Sequence, residues 1–144
     1  MAEAFAGLVC GYGLALVATP IAAIALVRAR VSSPLLRQIM PEGTSLVAIS
    51  IILHSFAIFT LTALGLALGL MLAGLEGRSP DGGLGSPNQA FTAFVLVTAA
   101  IAVLPMAIVV PGWRRALLAG GLLFAGTFGW LMPYLSLLGP GNGS

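Results

Sequence analysis

Residues 46–75 read LVAISIILHSFAIFTLTALGLALGLMLAGL, with no Asp, Glu, Lys or Arg and one histidine, His54. The hydrocarbon core of a bilayer is ~30 Å thick and takes about 20 apolar residues at helical rise. This run is long enough to cross it. Its Leu, Ile, Val, Ala and Phe content favours insertion, and nothing charged opposes it. The reading of this one stretch as a transmembrane helix sets the terms for the rest of the chain.

Three further runs meet the same criterion, at about 5–27, 90–110 and 116–138, and none contains an acidic or basic residue. Only Pro111-Gly112-Trp113-Arg114-Arg115 separates the last two, which is enough for a tight helical hairpin. Composition agrees with this reading. Of 144 residues 59% are apolar and 7% are charged, against about 25% charged in a soluble domain. The mean hydropathy is +1.09. So few charges cannot coat a soluble globule, and so apolar a chain is not a disordered one. The expectation is one all-α integral membrane domain over residues 1–144, with four transmembrane helices in a small bundle. Residues 76–89, rich in Gly, Ser, Pro, Asn and Asp, read as a flexible outer loop, and 139–144 as a flexible tail.

The loops set orientation. Arg28, Arg30 and Arg37 lie between the first two spans, and Arg114 and Arg115 between the last two. The loop between spans two and three holds Arg78 beside Glu76 and Asp81. The positive-inside rule then places the arginine loops in the cytoplasm and both termini outside. Trp113 and Tyr134 suit the two interfaces. The N-terminus lacks the positive segment of a secretory signal, so the first span is read as uncleaved. Arginine in place of lysine, with much Ala, Gly and Leu, suggests a bacterial inner membrane. In the first cytoplasmic loop, Ser33-Pro34-Leu35-Leu36-Arg37-Gln38-Ile39-Met40-Pro41 offers an N-cap, a proline at the first helical position and a terminating proline. This predicts a short interfacial helix with Leu35, Leu36, Ile39 and Met40 on one face.

Chemistry is sparse. Glu3, Glu42, Glu76 and Asp81 all lie at ends or in loops, and Cys10 has no second cysteine to pair with. No metal-ligand spacing, phosphate loop or nucleophile–base set is present, so no catalytic or metal residue is assigned. The basic excess is too thin for nucleic acid. His54 is the exception, roughly 13 Å along its helix at helical rise, where an ionisable side chain suggests a functional site. Three roles are open to it. It can be a neutral ring hydrogen-bonded to a neighbour at equal depth, such as Thr19. It can be an axial ligand of a haem b, the one cofactor considered, with a second histidine from another subunit. It can be a proton-carrying residue in a pore.

Small residues supply the remaining pattern. Gly65, Gly69 and Ala73 fall four apart, as do Gly121, Ala125 and Gly129, and Gly7, Gly11 and Ala15. Such faces let helix backbones approach closely in lipid. Ala48, Ser55, Thr62 and Gly69 also recur every seven residues. The expected partners are the bilayer and either other membrane subunits or further copies of the chain. The expected function is a non-catalytic accessory or structural subunit of a larger membrane assembly. The alternatives are a homo-oligomeric channel or transporter of a neutral or lipophilic solute, supported by His54, Ser50, Ser55, Thr60, Thr62 and the prolines Pro20, Pro105 and Pro133, and a haem anchor at His54.

Overall fold

A computed structural model describes residues 1–32, 34–39, 43, 45–75, 84–109 and 111–138. All regular structure among these residues is helical. Helix α1 spans Ala2–Ser32, α2 Pro34–Ile39, α3 Leu46–Gly74 and α4 Gln89–Val109. A 3₁₀ turn at Pro111–Trp113 leads into α5, Arg114–Phe124, which passes through a π-helical segment, Ala125–Leu131, into α6, Met132–Leu137. Among the described residues, four helices are long and apolar enough to cross a membrane: α1, α3, α4 and the continuous α5–α6 rod.

Local chemistry sets the helix ends. Ser45 is extended, at φ −65° and ψ 130°, and its hydroxyl accepts from the Val47 amide to start α3. Asn88 does the same for α4, its Oδ1 accepting from the Phe91 amide at 3.0 Å. In α1, Glu3 in the first turn and Arg30 in the last complement the helix dipole. The Arg37 guanidinium of α2 donates to the Arg30 and Val31 carbonyls. It thereby satisfies acceptors that the end of α1 leaves free and folds α2 back against α1. The predicted cap Ser33 and terminator Met40-Pro41 lie outside the described residues, as do the side chains of Leu35, Leu36 and Ile39.

The spans follow one neighbour order, α3 against α1, α1 against α5–α6, and α5–α6 against α4. Among the described residues, the extensive packing of α3 is on α1. The main core gathers Ala6, Cys10 and Leu14 of α1, Leu72 of α3, Phe91 and Val95 of α4, and Phe128 and Met132 of the α5–α6 rod. The Phe124 and Phe128 rings add a tilted pair with centroids 4.9 Å apart. This core lies in the half of the molecule that contains the N-terminus of α1. Contact between α1 and the rod is concentrated on α6 and the π segment and thins along α5. The helices run antiparallel in turn, so Arg28, Arg30 and Arg37 share an end of the molecule with Arg114 and Arg115, opposite this core.

Candidate functional site

The α1–α3 contact brings His54 into place. Glu3 meets Gly69, Gly7 meets Gly65 and Gly11 meets Leu61, each pair one turn further along both helices. A Cβ on Gly7 would overlap the Gly65 carbonyl oxygen, and one on Gly65 would overlap that of Gly7. On Gly69 it would meet the Glu3 carbonyl oxygen and come within 2.9 Å of the Ala4 Cα. The missing side chains therefore set the interhelical distance. Continuing this antiparallel register brings Thr19 level with His54, and Thr19 Oγ1 lies 3.3 Å from His54 Nδ1. Thr19 is buried and His54 half-buried.

Thr19 fixes more than position. Its hydroxyl donates to the Ala15 carbonyl at 2.7 Å, the back-bond open to a threonine inside a helix. Around the pair runs an open groove of about 480 Å³ between α1 and α3. Its walls are Leu16 and Pro20 on one side and Val47 and Ile51 on the other, with Ser50 one turn from His54. Pro20 has no N–H, so the Leu16 carbonyl lacks its α-helical donor at this level.

The other hydroxyls of α3 do not converge on this groove. Ser55 and Thr60 are exposed. Thr62 Oγ1 is buried where Gly11 approaches the helix, without a partner among the described residues. Among the described residues no three His, Cys, Asp or Glu side chains could together hold a metal ion. Cys10 is buried in the main core.

The remaining small residues divide between interfaces. Ala73, expected to extend the Gly65–Gly69 seam, is exposed. Gly121 faces α4, where a Cβ would lie 2.9 Å from Val103 Cγ2. Ala125 is buried, and Gly129 is buried beside Thr92 and Val95 of α4. Arg28, Arg37, Arg114 and Arg115 are exposed and Arg30 is half-buried.

A second polar cluster closes the opposite end, and nothing in the sequence reading anticipates it. Thr92 Oγ1 lies 2.7 Å from the Gly129 carbonyl, 2.6 Å from Ser86 Oγ and 3.0 Å from the Asn88 carbonyl. Ser86, Asn88 and Thr92 are all buried. The Thr92 hydroxyl from α4 thus donates to the Gly129 carbonyl in a segment whose backbone register is π, with the Met132 N–H on the Thr127 carbonyl, and whose next residue, Pro133, has no N–H to give. Trp130 Nε1 donates to the Leu84 carbonyl and the Tyr134 hydroxyl to the Gly85 carbonyl, both at 2.8 Å. Gly85 has φ +65°, which glycine adopts without strain. These bonds engage residues 84–88, the described end of the 76–89 segment. Residues 84–88 are fastened to α4 through Ser86 and Asn88, and to the rod through Trp130 of the π segment and Tyr134 of α6; 76–83 lie outside the described residues. Two signals were legible in the sequence: Asn88 directly before an apolar run, and a proline four residues after Gly129.

No family model, no curated protein and no solved structure matches the chain.

Proposed function

We propose that the protein is a non-catalytic, four-span subunit that packs within a larger membrane assembly. Both termini lie outside, and the arginine-bearing loops lie in the cytoplasm of a bacterial-type membrane. The observation that carries this reading is the edge position of α3, which among the described residues packs extensively on α1 alone. Its free side presents Ile52, Phe56 and Phe59, which are 70%, 70% and 78% exposed and lie on adjacent turns. Side-chain ridges of this kind can seat in the grooves of another helix. The glycine seam of α3 is already used by α1, so the partner face is the aromatic one. The test is purification at near-native abundance, with a photo-crosslinking side chain at Phe59. A stoichiometric partner crosslinked through that position supports the reading. A protein that isolates alone, or crosslinks only to lipid or to itself, overturns it.

The second reading, a homo-oligomeric channel or transporter of a lipophilic solute, is favoured by the groove beside His54. Self-crosslinking through Phe59, with a closed oligomer in solution, would select it.

A further inference from the structure

The α1–α3 pair leaves one of its polar groups half used. Thr19 Oγ1 has a single proton, and the shorter of its contacts, to the Ala15 carbonyl at 2.7 Å, takes it. Thr19 therefore meets His54 Nδ1 as an acceptor. In a neutral ring the proton then sits on Nδ1, and Nε2 carries the lone pair. Nε2 has no partner among the described residues, and it is not among the polar atoms sealed from the surface. The ring forms part of the lining of the α1–α3 groove.

Depth gives this lone pair its meaning. Helix α3 is about 43 Å long at helical rise, against ~30 Å of hydrocarbon. With α3 centred on the bilayer, His54, about 12 Å from Leu46 at helical rise, lies about 5 Å inside the hydrocarbon boundary. Polar groups there need partners that water does not readily supply. A molecule that reaches an acceptor in this place must be lipid-soluble and must bring a donor. The groove offers it apolar walls and a volume within the range of small-molecule sites.

We infer that the groove binds a lipid-soluble alcohol or phenol, whose hydroxyl donates to His54 Nε2 while its apolar body lies against Leu16, Pro20, Val47 and Ile51. Ser50 is placed to hold a second oxygen of the same molecule. The hydroxyl can belong to a quinol or to an acylglycerol, which share this chemistry. The inference is independent of the subunit reading, since a monomer or an oligomer would bind equally.

The chain contains one histidine, so the full-length protein labelled with ¹⁵N-histidine and placed in phosphatidylcholine bilayers reports this ring alone. Solid-state spectra of the unliganded protein should show Nδ1 protonated and Nε2 bare. Decylubiquinol in one arm and dioleoylglycerol in the other are the probes. A saturable shift of Nε2, with Nδ1 nearly unmoved, is expected in at least one arm, and that arm identifies the source of the hydroxyl. The fully O-methylated form of the active probe, with every hydroxyl capped, lacks the donor and should bind about tenfold more weakly, the equivalent of one hydrogen bond. Thr19→Val should mix the tautomers and weaken binding, and Thr19→Ser should restore both. The inference is overturned by a ring protonated on Nε2, by no saturable shift with either probe, or by an undiminished response to the methyl ether. A Soret band in the purified protein that disappears in His54→Gln would also overturn it, by making the ring a haem ligand.

Discussion

Gly7 and Gly65 face each other across the α1–α3 contact so closely that a Cβ on either would collide with the other's carbonyl oxygen. The contact is reciprocal, backbone on backbone, and leaves no flexible side chain to give way. In lipid there is little hydrophobic gain from pairing two apolar helices, so close packing of this kind holds them. The same register carries Thr19 to His54, and the glycines thus align the chain's one histidine with its partner.

Alanine at Gly11 should force α1 and α3 apart, because its Cβ would meet the Leu61 carbonyl and come within 2.9 Å of the Thr62 Cα. The expected cost is that of an overpacked core, ~1–3 kcal/mol. At Gly13, half a turn away, a Cβ would have no neighbour within 4 Å. Gly13→Ala should be neutral or gain up to ~1 kcal/mol from helix propensity. Reversible unfolding in mixed micelles checks the contrast. Equal effects at the two positions would show that the seam is not where α1 and α3 meet.

The Thr92–Gly129 bond should depend on Pro133. Thr92→Val leaves the Gly129 carbonyl without this donor and should cost ~1–3 kcal/mol. Thr92→Ser keeps the hydroxyl and should cost less. In a Pro133→Ala background the backbone regains an N–H that reaches the Gly129 carbonyl once this turn shifts from π to α register, so Thr92→Val should become cheaper. A double-mutant cycle measures this coupling, and strictly additive effects would break the link between the proline and the hydroxyl.

Trp130→Phe and Tyr134→Phe each remove one donor to the 84–85 backbone. Each should lower stability by ~0.5–1.5 kcal/mol. Together they should speed amide exchange at 85–88 while leaving the middle of α4 protected. Exchange that rises equally throughout α4 would instead mean that the helix itself had loosened.

The arginine distribution sets an expected topology. Alkaline phosphatase fused after Ser144 should be active, and a green fluorescent protein at the same position should be dark. Fusions after Gly112 should give the opposite pair of results. Fluorescence from the Ser144 fusion would reverse the orientation.

The span count follows from the sequence by itself, because insertion into hydrocarbon depends on apolar character summed along a run. Residues 46–75 carry that information whatever lies beside them, and α3 ends within one residue of the run. The glycine spacing likewise marked a face of α3 suited to close approach. Which helix fills that face is a non-local matter, and only the tertiary structure gives it to α1 while leaving α3 at the edge. His54 stood out in the sequence as ionisable at depth, and Thr19 as a candidate by depth alone. The direction of their hydrogen bond needed the Ala15 carbonyl at 2.7 Å, since a hydroxyl's role is set by where its one proton goes. The fastening of 84–88 was least legible. Its glycines and serine resemble a linker in composition, and the donors that hold it, Trp130 and Tyr134, come from a helix far along the chain that only folding brings near.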